Sequence, residues 1–171
     1  MTPLPGALGG TELVAWRLDA AEYLPTWDTA EGSFRVGGRW NSAGRRVLYA
    51  ALDPATAILE VAVHKGFDAL DVRAHVLISL DVVQPARVHL VDVAQIPNGN
   101  WLRPGAVSRN QQAFGDSLLA SHPIVLIPSV VSTHSWNVLI DVVAAAGMFK
   151  LRAHERFSLD TRLAPPDRRG A

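Results

Sequence analysis

Short apolar runs separated by glycine, proline, asparagine and aspartate residues predict a chain built mainly of strands. These runs lie at residues 13–18, 46–51, 72–82, 88–91, 124–127, 136–143 and 149–159. Apolar residues at helical spacing within 107–121, and again after Asp53, predict helices between some of the strands. No repeat or composition shift divides the series. The pattern therefore predicts one mixed α+β domain.

The most regular helical pattern follows the second predicted strand. Asp53 is a suitable N-cap, Pro54 suits the first helical position, and Gly66 is a suitable stop. Glu60 is the only acidic residue of this helix, and a glutamate among apolar neighbours either faces solvent or is buried with a partner. The predicted buried stripe consists of Ala55, Ile58, Leu59, Ala62 and Val63.

Residues 19–45 are predicted to form a loop, and a loop of this length inside a compact domain is usually functional. The segment carries Arg39, whose planar guanidinium suits phosphate oxygens, and it precedes Tyr49, whose flat ring has a polar tip. Each also has an ordinary interpretation, as a solvated surface arginine and a strand tyrosine. Together with Glu60, whose carboxylate can stabilise positive charge or take a proton, they suggest a site for a phosphorylated, ring-containing ligand and for glycosidic-bond chemistry.

Composition limits the remaining classes of function. The chain has 171 residues, of which 49% are hydrophobic and 19% charged, which is typical of a globular domain. Its formal net charge of zero argues against nucleic acid or an anionic membrane as the main partner. The absence of a signal sequence and of a membrane-length apolar run predicts a cytoplasmic location. The domain is predicted at 13–163, between a flexible arm at 1–12 and a disordered tail at 164–171.

Several kinds of site are not supported by the sequence. Without cysteine there are no disulfides, thiol nucleophiles or thiolate metal ligands. The six histidines have no metal-ligand spacing, so no metal site is predicted. No Walker-type phosphate loop and no Rossmann glycine motif are found, so a dinucleotide would bind in another way.

Seven segments, in order along the chain, resemble those of a known family. They are Trp16-Arg17-Leu18, Gly38-Arg39-Trp40-Asn41, Leu48-Tyr49-Ala50, Ala57-Ile58-Leu59-Glu60, Pro128-Ser129-Val130, Asn137-Val138-Leu139-Ile140 and residues 157–163. In this order they resemble the RES-domain family, the toxin components of Xre–RES type II toxin–antitoxin systems. One departure is Asp141-Val142, where family members commonly have Asn-Pro.

The resemblance implies a central, mostly antiparallel sheet flanked by helices, similar to ADP-ribosyltransferase toxins. It implies that NAD is a substrate, cleaved between nicotinamide and ribose by phosphorolysis or hydrolysis, and that no separate cofactor is needed. Glu60, Arg39 and Ser129 would be the catalytic residues. The residues expected to bind NAD are Arg17, Arg39, Tyr49, Ser129, Trp40 and Asn137.

The resemblance also implies a cognate Xre-type antitoxin, inorganic phosphate or a protein as ribosyl acceptor, and a homodimer within the toxin–antitoxin complex. Direct contact with nucleic acid or membrane is not expected. Three alternatives stay open: an ADP-ribosyltransferase that modifies a host protein, a catalytically silent module that binds a nucleotide or a partner, and a structural subunit. In the last case a surface containing Trp27, Trp40, Trp101 and Trp136 would form the interface.

Overall fold

The computed structural model describes residues 12–160, which form a seven-stranded sheet with four α-helices. The sheet order is β4-β5-β6-β2-β1-β3-β7, and all neighbours are antiparallel except the parallel pair β4 and β5. The strands are β1 (Leu13–Ala20), β2 (Val47–Ala51), β3 (His75–Val82), β4 (His89–Leu90), β5 (Ile124–Pro128), β6 (Trp136–Asp141) and β7 (Phe149–Phe157). The predicted α+β class with a mostly antiparallel sheet is confirmed.

The helices are α1 (Glu31–Val36), α2 (Pro54–Lys65), α3 (Phe67–Val72) and α4 (Arg109–Ser121). Asp53 caps α2 by accepting a hydrogen bond from the Thr56 N–H, and Gly66 ends the helix at a φ of 81°. Ser108 and Gln111 form a reciprocal capping box at the start of α4. Short 3₁₀ helices lie at Ala21–Thr26, Pro85–Arg87, Val93–Gln95 and Gly99–Leu102.

Two parts of the sequence prediction were wrong at the level of secondary structure. Residues 19–45 are not one loop, since the first 3₁₀ helix and α1 lie within them. Residue 72 ends α3 instead of beginning the third strand. Both missed α-helices have only six residues, too few to show a helical period in the sequence. The predicted arm, apart from residue 12, and the predicted tail lie outside the described residues.

The sheet is divided between β1 and β2. These two strands share the single register pair Trp16 with Ala51, whereas β1 and β3 pair along their whole length. The sheet therefore consists of two halves, β4-β5-β6-β2 and β1-β3-β7. Arg17 bridges them, because its Nη1 donates to the Tyr49 carbonyl oxygen at 3.0 Å.

The core corrects two predictions about burial. On α2 the fully buried residues are Thr56, Ala57 and Ala62, while Val63 is 62% exposed, so the predicted stripe is rotated relative to the covered face. The tryptophans proposed as an interaction surface do not form one. Trp40 and Trp136 are buried, while Trp27 and Trp101 are partly buried against core clusters.

No α-helix within residues 12–160 is both long enough and apolar enough to cross a membrane.

Candidate active site

Three polar side chains converge at one end of the β5–β6 pair. Glu60 on α2 accepts two hydrogen bonds on the same oxygen, Oε1, from Ser129 Oγ at 3.0 Å and from Asn137 Nδ2 at 2.7 Å. Ser129 is 2% exposed and Asn137 is 7% exposed, whereas Glu60 is half-buried. The cluster therefore presents a partly accessible carboxylate backed by two buried donors.

The Ser129 hydroxyl has a defined orientation. Its oxygen accepts hydrogen bonds from the backbone N–H groups of Val131 at 3.2 Å and Ser132 at 3.0 Å. A serine hydroxyl has one hydrogen to donate, and here that hydrogen is directed to Glu60. The backbone N–H of Ser129 in turn donates to the Ser135 carbonyl oxygen at 3.0 Å. The turn after β5 thus fixes both the backbone and the side chain of Ser129.

Strand register places these groups together. Ile127 of β5 lies opposite Asn137 of β6, so Ser129 follows its strand at the edge where β6 begins. The N-terminus of α2 is attached to the same turn, because Ser135 Oγ donates to the Asp53 carboxylate at 2.5 Å. Burial disfavours the charged form of Asp53, but hydrogen bonds from Ser135 and Thr56 outweigh it and lower the pKa of this carboxyl group.

A second group of contacts holds the segment that carries Arg39. The Tyr49 hydroxyl donates to Asn41 Oδ1 at 2.7 Å and accepts from the Trp40 backbone N–H at 3.1 Å. Gly38 forms an isolated β-bridge with Asn41. A Cβ atom on Gly38 would lie 2.5 Å from the Tyr49 hydroxyl oxygen, so only glycine allows this approach.

Asn41 holds the loop that carries Arg39, although no role was predicted for it. It is 0% exposed, and its Nδ2, with two hydrogens to share, lies within hydrogen-bond distance of the carbonyl oxygens of Ser33 at 3.3 Å, Ser42 at 2.9 Å and Arg45 at 3.2 Å. Its side chain thereby ties α1, the loop and the start of β2 together. The sequence signal that could have identified Asn41 was its place in the Gly38-Arg39-Trp40-Asn41 segment.

Arg39 lies at the tip of this segment and is half-exposed. Its Nη2 contacts the Gly105 carbonyl oxygen at 3.4 Å, and within residues 12–160 no carboxylate lies at salt-bridge distance from it. The neighbouring Arg45 and Arg46, by contrast, pair with Asp141 and Glu31. Arg39 therefore offers a cation on a rigid support without a counter-charge in the described part of the chain.

Tyr49 is influenced electrostatically by both parts of the site. Burial is the largest cause that raises the pKa of Tyr49, and the negative charges of Asp116 and Glu60 act in the same direction. The Trp40 N–H and the positive charge of Arg39 act in the opposite direction. Tyr49 thus lies within the fields of Arg39 and Glu60 and stays a neutral phenol.

The side chains of two further predicted residues, Arg17 and Trp40, are engaged in contacts within the fold. The Arg17 guanidinium donates to Asp19 Oδ2 at 2.6 Å and 3.2 Å and to the Tyr49 carbonyl oxygen. Trp40 is 1% exposed and packs in the core, where its ring stacks edge-on against Phe114. The buried Trp40 ring offers almost no surface to a ligand, and the NAD-binding roles of Trp40 and Arg17 stay predictions.

The RES domain family model matches residues 14–160. The chain belongs to the RES-domain family. The family predicted from the order of the sequence segments is thereby confirmed, and the match spans nearly all of the residues described above.

Relatives of this RES domain carry names that bear on function. "Toxin Res" of Pseudomonas putida is 30% identical over 158 residues, covering 88% of this chain and 99% of its own length. "Toxin Res" of Photorhabdus laumondii is 27% identical over 154 residues, covering 88% and 97%. The "Prs ADP-ribosylating toxin" of Sphingobium sp. is 30% identical over 132 residues, covering 74% and 80%.

A solved structure shares the fold of this RES domain. In the crystal structure of the M. tuberculosis MbcT–MbcA toxin–antitoxin complex, one chain superposes with a TM-score of 0.67. The superposition covers 86% of this chain and 85% of that chain, at 18% sequence identity.

The departure at Asp141-Val142 has a structural explanation in this RES domain. Asp141 accepts from Arg45 Nε at 2.8 Å and from the backbone N–H groups of Val143 and Ala144, each at 3.1 Å. It closes the turn after β6 and holds the loop that follows Arg39. The turn lies at the opposite end of β6 from Asn137, so the departure leaves the Glu60 cluster unchanged.

The chemical capacity of the arrangement follows from its two parts. A half-buried carboxylate can stabilise a positive charge that develops on a substrate, and it can also accept a proton. A guanidinium that has no carboxylate partner within residues 12–160 and lies on a rigid loop suits phosphate oxygens. Tyr49 is partly buried, and its hydroxyl holds the segment that carries Arg39.

Proposed function

We propose that this RES domain is the toxin of a toxin–antitoxin pair and that it consumes NAD by cleaving the bond between nicotinamide and ribose. The observation that carries the proposal is the Glu60 carboxylate, whose Oε1 is held by Ser129 and Asn137, together with Arg39, which has no carboxylate partner in the described chain. The names of the Pseudomonas and Photorhabdus relatives support the toxin assignment.

In this mechanism the glycosidic C–N bond breaks and its electron pair leaves with nicotinamide. The ribose carbon and its ring oxygen then share a positive charge, for which the Glu60 carboxylate is the electrostatic partner. Arg39 would hold pyrophosphate oxygens, and the Tyr49 ring would pack against the nicotinamide–ribose part. A new bond then forms between the ribose carbon and an oxygen of the acceptor.

The acceptor distinguishes three versions of the reaction. Inorganic phosphate gives phosphorolysis, water gives hydrolysis, and a protein side chain gives ADP-ribosylation. A water molecule or a hydroxyl group must lose a proton, which Glu60 can accept, whereas an ionised phosphate oxygen need not lose one. The name of the Sphingobium relative favours ADP-ribosylation as the second candidate.

The direct test is to incubate the purified protein with NAD, with and without phosphate, and to identify the products. Glu60→Gln should bind NAD but turn it over about a hundredfold or more slowly. The matched control is Glu155→Gln on the exposed edge strand β7, which should behave like the parent. Nicotinamide release that is equal in parent and Glu60→Gln would refute the assignment. Tight NAD binding by the parent without release of nicotinamide would favour the alternative of a catalytically silent binding module.

The partner proposal follows from the same site. An antitoxin, expected to be of Xre type, would block access of NAD by placing an acidic group against Arg39. The M. tuberculosis complex, in which a toxin is bound to its antitoxin, supports an antitoxin partner, and a homodimer within such a complex stays a prediction. Expression of the chain alone should deplete cellular NAD, and co-expression of the partner encoded beside it should restore NAD. Normal NAD under strong expression of folded protein would contradict the toxin proposal.

A further inference from the structure

The two oxygens of the Glu60 carboxylate have different surroundings. Ser129 and Asn137 both donate to Oε1, while Oε2 accepts no hydrogen bond from residues 12–160. The terminal torsion of a glutamate is broad and two-fold, so its oxygens normally exchange places readily. Here rotation away from this orientation breaks both hydrogen bonds, which come from two separate parts of the fold, and a complete half turn only restores the same arrangement with the equivalent oxygens interchanged.

Asn137 makes this contact at a cost to folding. Its Nδ2 donates to Glu60, but its own Oδ1 is buried and has no hydrogen-bond partner within residues 12–160. An unpaired buried acceptor destabilises a protein, and an apolar side chain of similar shape would avoid that cost. The gain from the bond to the Glu60 carboxylate and the cost of the unpaired oxygen are of similar size, so core stability alone does not explain an amide at this position.

We infer that Asn137 and Ser129 are positioning residues that hold Glu60 Oε1, so that Oε2 is the oxygen that faces the reacting ribose. This inference rests on the proposed NAD cleavage. The Asn137 Oδ1 is buried and its Nδ2 donates to Glu60, and the Ser129 hydroxyl is occupied by three hydrogen bonds. Both residues therefore act through Glu60.

The first test separates kcat from KM. Asn137→Leu and Ser129→Ala should each lower kcat by about tenfold to a hundredfold, because a small displacement of a reacting group has an effect of that size. The KM for NAD should stay within about twofold of the parent value, provided that bound NAD dissociates faster than it reacts, so that KM equals the dissociation constant. The Tm of Asn137→Leu should stay close to that of the parent, because the lost bond to Glu60 and the removal of an unpaired buried oxygen offset each other. Ser79→Ala is the matched control, since it removes a buried hydroxyl that donates to Ala153 on the far half of the sheet.

The second test uses pH. In Asn137→Asp the introduced carboxyl group lies against the Glu60 carboxylate, which favours its protonated form. The protonated acid can donate to Oε1 as the amide does, but the ionised acid repels it. The kcat of this variant, divided by that of the parent, should therefore fall at least tenfold as pH rises from about 5 to about 8. Parallel pH profiles would overturn the inference.

A third measurement does not depend on turnover. The side-chain amide signal of Asn137 in a ¹H–¹⁵N spectrum should shift strongly in Glu60→Ala and stay unchanged in Glu155→Ala. An unchanged signal in Glu60→Ala would overturn the positioning role by itself. If the shift occurs but the parent releases no nicotinamide, the proposed NAD cleavage fails while the anchoring of Oε1 stands. A parent-like kcat in Asn137→Leu, with an active parent, would refute only the positioning role.

Discussion

Replacement of Tyr49 by phenylalanine removes one oxygen atom that serves two buried groups. The hydroxyl donates to Asn41 Oδ1 at 2.7 Å and accepts from the Trp40 N–H at 3.1 Å, and both of these residues are almost fully buried. Each group left without a partner costs about 1–3 kcal/mol. We therefore expect Tyr49→Phe to lower the free energy of unfolding by about 2–4 kcal/mol, with some relief as the loop moves.

The same substitution should release the loop that carries Arg39. NAD affinity is best measured by calorimetry in a Glu60→Gln background, so that turnover does not consume the ligand. We expect clearly weaker NAD binding and, from denaturant titration, the loss of stability given above. Tyr23→Phe is the control, because that side chain is 49% exposed. A Tyr49→Phe variant within about 0.5 kcal/mol of the parent would refute the anchoring role of the hydroxyl. It would leave ring packing as the function of Tyr49.

Three further substitutions test separate features. Arg39→Lys keeps the charge but loses the planar fork, so calorimetry should show NAD binding about tenfold weaker, and parent-like affinity would make Arg39 a surface residue. Gly115→Ala would place a Cβ atom 2.0 Å from the Trp40 carbonyl oxygen, so denaturation should reveal a loss of about 3 kcal/mol or more. Burial first, and then the charge of the stacked His122 ring, lower the pKa of His89. The unfolded state then binds more protons, so the Tm should fall as pH drops below about 6.5, and His122→Gln should reduce that fall. If the Tm of His122→Gln depends on pH as the Tm of the parent does, the His122 charge is not a cause of the lowered His89 pKa.

Local sequence signals predicted well the helix and the strands that carry the site. The Asp53 cap, the proline after it and Gly66 defined α2 almost to the residue, because capping chemistry depends on immediate neighbours. Apolar runs likewise located β2, β5 and β6. For Glu60 the sequence left two alternatives, exposure to solvent or burial with a partner, and the structure shows a half-buried carboxylate with Ser129 and Asn137 as partners.

The sequence did not show which face of each helix or loop packs against the rest of the fold. On α2 two neighbouring faces are apolar, and only packing against β1 decides that Ala62 is buried and Val63 exposed. Trp40 lies in a polar segment, yet its ring fills a core cluster because α4 crosses it closely at Gly115. Arg17 has its nearest counter-charge two residues away in Asp19, a pairing that strand periodicity does not reveal.

The anchoring of Glu60 has a consequence for synthesis of the chain. The two hydrogen bonds on its Oε1 join positions 69 and 77 residues apart, so they form only after β6 has been made and has paired. Contacts between distant segments are late events in folding, and a domain generally folds as a unit. A ribosome-bound chain that has produced α2 but not β6 therefore carries an unanchored carboxylate. Under the proposed function, a cell needs its antidote only from the moment the last third of the domain is complete.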